Sequence, residues 1–574
     1  MTNNKNPIFQ NKIAENISSC SVSADKRESN AMRRRFIVFL LSASLFLFLA
    51  SFIYQSKWDL TMEDLLEVNP PISSTSRRLQ DPYFKESKVS APAFVTAPSL
   101  KELLENKKFN DFALSFTSLQ SMSSFLQDLD SKGLELRSSI PQILTARFRV
   151  TDPARASDAL ETGKGLNDLE VNQSVYRPQK PKVEETDLSA QKAKTVDQWL
   201  SLYEDRSEWG RGTTLAIIDS FIDFSHPSLA HIEREVISFL DEPYKVENSG
   251  HGTSIASIIA ASTDDFQGIA PGAKIISIEV LSEKGEGDVF TLSEAIVTAV
   301  DMGVNLINLS LGGDRPSGTL ENAINYAKDK GVLLVAASGN DGTSQVSYPA
   351  KYDDVIGVSA LNSTGSVATF SNFGEGVDIA APGVNVISAY AGNEYAVLNG
   401  TSSASAFVSG AILSELARNP GLSPEQVKEL LFTYANEAEK PGFDKFSGHG
   451  VLNLERIINR NDRNYHDAAL VGYYFEPETL SQVAGAGTVP FLVTVQNQGS
   501  SWINQMKLDV SYKGLNRVFL FSNMKPGQAR SEKLYLDSLS AVKGIQITSK
   551  LKLIGKEDQN PENNYRKSIV TIPQ

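Results

Sequence analysis

Four short motifs carry side chains that could together hydrolyse a carbonyl compound. The apolar run TLAIID ends in Asp219, and His251 follows between two glycines in SGHGTS. Asn340 follows the apolar run VLLVAAS, and Ser402 begins a stretch rich in Ala, Ser and Gly. A carboxylate can orient an imidazole, the imidazole can take a proton from a hydroxyl, and a side-chain amide can stabilise an oxyanion. These residue types therefore indicate nucleophilic catalysis by a serine.

Each motif alone has a more ordinary interpretation. Asp219 could be a turn or capping residue, His251 could be structural, and Asn340 could belong to a turn. Ser402 could cap a helix, as most serines at helix starts do. The four sparse motifs nevertheless occur together, and the order acid, base, nucleophile is one of the known triad orders. Their combination favours the catalytic interpretation.

With these motifs, residues 195–460 resemble the peptidase domain of the subtilase family. The resemblance implies that Asp219, His251 and Ser402 form a catalytic triad and that Asn340 donates to the oxyanion. It also implies an activity, the hydrolysis of peptide bonds in protein or peptide substrates. Two further segments resemble the strands of that family that line the substrate. They contain Gly285, Glu286, Gly287, Ser310, Leu311 and Gly312.

Several neighbouring positions depart from the family pattern. Ser220 and Phe221 follow the acid where Thr and Gly are usual, and Ser254 stands where a second His is usual. The stretch 403–407 reads SASAF rather than Met-Ala-Ser-Pro-His. These departures motivate an alternative hypothesis, a non-catalytic scaffold that binds peptides. All four chemical positions are intact, which opposes that alternative.

The rest of 195–460 predicts an α/β fold. Five apolar runs are typical of parallel strands buried on both faces; they are TLAII, AKIISIEV, VNLINLSL, VLLVAAS and DVIGVSA. Helical stretches such as TLSEAIVTAVDMG and LENAINYAKDKG separate them. The pattern predicts a mostly parallel sheet flanked by helices, as in subtilisin-like domains.

Two further domains are predicted around this sheet. Residues 109–180 show the order β-α-β-β-α-β of a ferredoxin-like unit, which resembles the inhibitory propeptide (inhibitor I9-like) of subtilase zymogens. An unrelated small α+β domain is the alternative. The propeptide interpretation predicts one autoproteolytic cut between about residues 178 and 197. Residues 465–574 alternate short strands with turns, which predicts an immunoglobulin-like β-sandwich resembling a CARDB module. An adhesion or anchoring role of that region is a second alternative function.

The N-terminal region predicts export. Residues 36–54 form an uncharged apolar run after three arginines, long enough to span a bilayer. We interpret this run as a signal anchor, with 1–35 in the cytoplasm and 55–108 as a linker, or as a cleaved signal peptide. A buried core helix is the remaining alternative. An uncleaved segment would anchor the catalytic domain outside the cytoplasm, and a cleaved one would leave it secreted.

Composition excludes other classes of function. The net charge of −13 opposes nucleic-acid binding, which needs clustered Lys and Arg. The only cysteine is Cys20, so the rest of the chain offers neither a disulfide nor a Cys-based zinc site. The expected chemistry requires no cofactor. The subtilase resemblance makes structural calcium conceivable, but no residue, including Asp264 and Asp265, is assigned to a metal. Glu286 could favour a basic substrate side chain or be a solvated charge.

Overall fold

The structure is a computed structural model. It describes residues 111–179, 193–200, 205–240, 250–263, 266–362, 365–438, 441–474, 488–537 and 545–570. The apolar segment 36–54, the linker 55–108 and both Asp264 and Asp265 lie outside these residues. Within the described ranges, none of the helices is both long and apolar enough to cross a bilayer.

The first described unit is a four-stranded antiparallel sheet with two helices. In chain order its elements are β1 (Asp111–Phe116), α1 (Leu119–Phe125), β2 (Leu134–Ile140), β3 (Thr145–Val150), α2 (Pro153–Thr162) and β4 (Leu166–Val171). The strands are arranged β2-β3-β1-β4. Ser118 caps α1 and Asp152 caps α2, so local sequence fixes both helix starts. Phe112, Phe125 and Phe148 contribute to the core beneath the helices.

The stretch LEVNQSVYRP supplies the last strand of the predicted β-α-β-β-α-β unit, and the structure divides it into two strands in two different sheets. Strand β4 pairs with β1, whereas β5 (Ser174–Tyr176) pairs antiparallel with β9 (Glu286–Asp288) of the next domain. Asn172 and Gln173 separate them, and the Asn172 side chain accepts a hydrogen bond from the Phe290 backbone N–H at 3.1 Å. The prediction of one continuous strand was wrong because alternation specifies a strand but not its partner.

A seven-stranded parallel sheet forms the centre of the second domain. Its order is β13-β12-β11-β10-β6-β8-β7. The strands are β6 (Thr214–Asp219), β7 (Arg234–Ser238), β8 (Lys274–Glu279), β10 (Leu306–Leu309), β11 (Leu333–Ala337), β12 (Ile356–Leu361) and β13 (Ile379–Pro382). Alternate residues of β6 enter different cores: Leu215 and Ile217 pack on one face, and Ala216 and Ile218 on the other. Burial on both faces explains the continuous apolar runs in the sequence.

Helices cover both faces of this sheet, as the sequence predicts. They are α3 (Val196–Leu200), α4 (Gly250–Ala260), α5 (Val289–Asp301), α6 (Gly318–Asp329), α7 (Thr401–Arg418), α8 (Pro424–Thr433) and α9 (Leu454–Ile458). A hairpin of β14 (Val386–Tyr390) and β15 (Glu394–Leu398) packs beside α4. The first 15 residues of α7 are buried, and their Ala, Ser and Gly content allows this close packing inside the domain.

The C-terminal region consists of two antiparallel sheets around a common apolar core. Strands β16 (Ala468–Tyr474), β17 (Thr488–Asn497) and β20 (Ala529–Asp537) form one sheet. The other has the order β19-β18-β21-β22, with β18 (Ile503–Tyr512), β19 (Leu515–Met524), β21 (Ile545–Leu553) and β22 (Tyr565–Val570). In β21 every second residue is buried, including Ile545, Ile547 and Leu551. The alternation therefore turns one face of each strand toward the shared core.

Burial of Asp378, directly before β13, predicts a pH dependence of stability. The Gly357 N–H donates to its carboxylate at 2.9 Å, yet burial raises the pKa of Asp378 from 3.8 to about 6. Because the folded pKa lies above the unfolded one, the folded state loses stability as pH rises from about 4 through 6. We expect Asp378→Asn to raise the free energy of unfolding at pH 8 by roughly 3 kcal/mol and to have little effect near pH 4. Thermal unfolding of inactive Ser402→Ala chains at both pH values measures this, and an equal gain at both would contradict it.

Candidate active site

Asp219 and His251 are in direct contact at the carboxyl end of β6. His251 is the second residue of α4, and its Nδ1 lies 2.8 Å from Asp219 Oδ1 and 3.0 Å from Oδ2. The carboxylate is fully buried and also accepts hydrogen bonds from the Ser220 backbone and hydroxyl. An ionised carboxylate only accepts, so Nδ1 carries the proton in this pair. The other ring nitrogen, Nε2, is then available as a base.

The glycines beside His251 are required by close packing. A Cβ atom on Gly250 would lie 1.7 Å from the ring of Tyr390, and one on Gly252 would lie 2.5 Å from the Ser220 carbonyl oxygen. The backbone beside Gly252 cannot move aside, whereas the Tyr390 ring beside Gly250 would have to be displaced from its place. The two glycines thus allow α4 to begin against β6, which brings the imidazole to the buried carboxylate.

Ser402 lies in the first turn of α7 but does not cap the helix. Gly400 occupies the cap position, and Ser402 Oγ donates instead to the Ser310 carbonyl oxygen at 3.3 Å. Among the hydrogen bonds of the described residues, none joins Ser402 to His251. Catalytic hydrogen bonds often form or tighten only with substrate bound, so this arrangement leaves Ser402 a candidate nucleophile. The alternative of a helix-capping serine is wrong, since the side chain does not contact the helix N–H groups.

Asn340 is oriented by the residue that precedes Ser402. Its Oδ1 accepts hydrogen bonds from both the backbone N–H and the hydroxyl of Thr401, each at 2.9 Å. With the oxygen occupied, the amide nitrogen faces the opposite way and donates to the carbonyl oxygen of Gln179 at 3.0 Å. The Asn340 side chain is therefore a fixed donor aimed at a peptide carbonyl, which is the geometry that oxyanion stabilisation needs.

The segment 174–179 lies between the two strands that the sequence predicts to bind substrate. Tyr176 and Gly312 exchange backbone hydrogen bonds of 2.8 and 2.9 Å, and the Arg177 N–H donates to the Gly285 carbonyl at 2.8 Å. Strand β5 pairs along β9, so Val175 lies opposite Gly287. An extended peptide thus occupies the groove, held by main-chain hydrogen bonds on both sides.

The remaining predicted substrate residues differ in their surroundings. Ser310 and Leu311 are fully buried; the Ser310 hydroxyl contacts Ser405 Oγ at 3.0 Å, and Leu311 belongs to the domain core. Glu286 is exposed, and no ion pair of the described residues includes it. Its hypothesised preference for a basic side chain stays a prediction.

The sequence did not indicate three groups that position this site: Ser220, Thr401 and the Ser310 carbonyl. Ser220 donates hydrogen bonds to Asp219, and Thr401 donates to Asn340. The Ser310 carbonyl accepts a hydrogen bond from Ser402. A signal existed for Thr401, because it directly precedes the candidate nucleophile. The departure at Ser254 is accommodated, since its hydroxyl donates to the Ala389 carbonyl at 2.9 Å. No cluster of three His, Cys, Asp or Glu side chains in the described ranges is placed to hold a metal ion.

Known proteins resemble this chain across its peptidase domain. The model of the subtilase family (peptidase S8) matches residues 210–450. Subtilisin BL of Lederbergia lenta is 40% identical over 253 residues, which is 44% of this chain and 92% of that protein. A thermophilic serine proteinase of Bacillus sp. (strain AK1) is 41% identical over 266 residues, 46% of this chain and 64% of the relative.

A solved structure, the prenylagaramide maturation protease PagA, is 30% identical, with a TM-score of 0.40 over 44% of this chain and 94% of that one. The similarity to subtilisin BL extends over nearly the whole length of that protein. The range that the family model matches contains Asp219, His251, Asn340 and Ser402. The chain belongs to the subtilase family and is a serine endopeptidase.

Proposed function

We propose that this endopeptidase is made as a zymogen, and that it cleaves its own chain between Gln179 and Lys180 through the triad Asp219, His251 and Ser402. The observation that carries the proposal is the 3.0 Å hydrogen bond from Asn340 Nδ2 to the carbonyl oxygen of Gln179. An oxyanion donor contacts the carbonyl that is attacked, so this contact selects the Gln179–Lys180 bond.

The mechanism follows from the positions of the side chains. His251 Nε2 takes the proton of Ser402 Oγ as the oxygen attacks the carbonyl carbon of Gln179, and Asp219 stabilises the imidazolium. Asn340 and the Ser402 backbone N–H, at the positive end of α7, stabilise the oxyanion. His251 then gives the proton to the departing amine of Lys180, and the acyl-enzyme is released by water. Protein and peptide substrates would bind in the same groove and react in the same way.

We assign residues 109–180 to a ferredoxin-like inhibitory propeptide. The antiparallel order β2-β3-β1-β4 with two helices supports this, as does the way the unit contacts the peptidase domain. Arg147 bridges Asp111 at 2.7 Å and Asp288 at 3.2 Å, across the two units. Glu170 accepts a hydrogen bond at 3.1 Å from the N–H of Thr319, in the first turn of α6. A carboxylate is stabilised at a helix N-terminus, so these contacts hold β5 in the groove.

The regions outside the peptidase domain suggest an exported enzyme with an accessory module. The uncharged run 36–54 after three arginines supports export, with the run kept as an anchor or removed as a signal peptide. The two antiparallel sheets of 465–574 around one core support an immunoglobulin-like sandwich of CARDB type. Its ligand would be a surface or a protein substrate.

Intact mass and N-terminal sequencing of the purified chain test the zymogen proposal. We expect wild type to yield a fragment that begins at Lys180 and Ser402→Ala to keep the bond between residues 179 and 180 intact. Ser403→Ala is the matched control and should be processed like wild type. The same intact mass for wild type and Ser402→Ala would rule out self-cleavage. A new N-terminus elsewhere in 178–197 would retain the zymogen but reject the Gln179–Lys180 bond.

A further inference from the structure

The hairpin of β14 and β15 leads directly into the helix that carries Ser402. Strand β15 ends at Leu398, and α7 begins at Thr401. The position of the hairpin therefore governs where the first turn of α7 lies relative to the rest of the site. The hairpin forms a two-stranded sheet of its own, so contacts from neighbouring elements must hold it in place.

Two serines of α4 bind the backbone of Ala389 in β14. The Ser254 hydroxyl donates to the Ala389 carbonyl oxygen at 2.9 Å, and the Ala389 N–H donates to Ser257 Oγ at 2.9 Å. Ser257 in turn donates to the Ser254 carbonyl oxygen at 2.8 Å. All three residues are at most 1% exposed. Water is therefore poorly placed to replace either bond if a hydroxyl is removed.

The loop that follows β6 holds the same hairpin from a second side. The Gly392 N–H, in the turn of the hairpin, donates to Asp223 Oδ2 at 2.9 Å. The buried His226 ring has its Nε2 3.1 Å from the Glu394 carbonyl oxygen, and its Nδ1 accepts a hydrogen bond from the Ser228 N–H at 3.2 Å. An imidazole that accepts at Nδ1 is neutral and carries its proton on Nε2, so His226 donates to the hairpin.

The hairpin thus joins the elements that carry all three candidate triad residues. His251 lies in the first turn of α4, Asp219 ends β6 before the loop, and Ser402 lies in the first turn of α7. The contact with α4 is close, because the Tyr390 ring fills the space that a Cβ atom on Gly250 would need. Since none of the hydrogen bonds of the described residues joins Ser402 to His251, the elements that carry these two residues must set their separation.

We propose that Ser254 and Asp223 are positioning residues, which act through the hairpin to hold Ser402 within reach of His251. The proposal rests on the proposed triad. Ser254 is one of the departures from the family pattern, and this contact gives that departure a role in the reaction. Among the hydrogen bonds of the described residues, none joins Ser254 or Asp223 to the substrate-lining segments 285–287 and 310–312. The two residues should therefore affect the chemical step rather than substrate binding.

Kinetics on processed enzyme, expressed per active site, test the proposal. We expect Ser254→Ala and Asp223→Ala each to lower kcat for a fluorogenic peptide by roughly 10- to 100-fold, because a displacement of about 1 Å between reacting groups can cost that much. KM should stay within about twofold of wild type, since the groove is unchanged. The rate constant for fluorophosphonate labelling should fall by a similar factor to kcat.

Ser293→Ala is the matched control. Ser293 is also a fully buried helical serine, but its hydroxyl donates within its own helix, to the Val289 carbonyl oxygen at 2.8 Å. This variant should keep the kcat and the labelling rate constant of wild type. Wild-type constants in both Ser254→Ala and Asp223→Ala would overturn the proposal.

The extent of labelling separates positioning from a loss of stability. A variant that only unfolds more easily would show a smaller labelled fraction with an unchanged rate constant per labelled site, and that result would also overturn the proposal. Labelling that survives in Ser402→Ala would instead reject the triad itself, so the two failures are distinguishable.

Asp223→Asn covers the case in which the alanine variants do not fold. Its amide oxygen can still accept the hydrogen bond from Gly392, but more weakly than a carboxylate does. We expect its kcat and labelling rate constant to lie between those of wild type and Asp223→Ala, at least about threefold below wild type. Constants equal to those of wild type would show that the Asp223 carboxylate does not position the site.

Discussion

Ser402→Ala should lower kcat for a peptide substrate by roughly 10⁶-fold, the size of the loss that the same change causes in subtilisin itself. Ser402 Oγ is the candidate nucleophile in the first turn of α7, and its loss would leave His251 without the hydroxyl that is expected to form the acyl-enzyme. The variant should also fail to react with a fluorophosphonate probe, which labels activated serines. Gel fluorescence after labelling, together with kcat from a fluorogenic peptide, measures both effects.

Ser403→Ala is the matched control for this experiment. The Ser403 hydroxyl is one residue away but donates within the helix start, to the Gly400 carbonyl at 2.8 Å. We therefore expect near-normal labelling and turnover from Ser403→Ala. Labelling that survives in Ser402→Ala and disappears in Ser403→Ala would assign the nucleophile to the neighbouring serine. Absent labelling of a wild-type chain that also stays uncleaved would instead favour a non-catalytic scaffold.

Asn340→Ala should lower kcat by about 10²–10³-fold, the loss that follows removal of this type of oxyanion donor in subtilisin. The effect should appear in kcat with little change in KM, because the donor strengthens its hydrogen bond only as negative charge develops on the substrate oxygen. Steady-state kinetics at saturating and limiting peptide concentrations separate the two constants. An unchanged kcat would refute the assignment of Asn340.

A second variant separates the chemical role of Asn340 from its structural one. Asn340 Oδ1 accepts two hydrogen bonds from Thr401, so alanine removes an acceptor as well as a donor. Asn340→Asp keeps the acceptor but replaces the donor with a negative charge near the oxyanion. We expect Asn340→Asp to lose at least as much activity as Asn340→Ala. Near-normal activity of Asn340→Asp would mean that the alanine variant fails through Thr401 alone.

The chemistry and the main fold were predictable because both depend on local patterns. Apolar runs long enough for strands, separated by amphipathic stretches, predicted the parallel sheet and its helices. The carboxylate at the end of β6 and the small residues around His251 and Ser402 predicted the candidate reacting groups. These signals are strong because few residue types are tolerated in a strand that is buried on both faces, or in the closely packed first turn of a helix.

Pairing between distant segments was not predictable. Strand β5 contains only three residues, and nothing in SVY indicates that it leaves the sheet of β4 to join β9. The same holds for the Ser310 carbonyl, which contacts Ser402 across 92 residues, because any residue carries a carbonyl group.

Segment 174–179 occupies the groove of its own chain. Its inhibition of the protease would therefore differ before and after the chain is cleaved. While the chain is continuous, the segment competes for the groove at an effective concentration on the order of millimolar, which no dilution can lower. After cleavage, its occupancy depends on how much of the released unit surrounds the enzyme. In a concentrated preparation the released unit would then keep the protease inhibited. Dilution would by itself lower the occupancy of the groove and make the protease active.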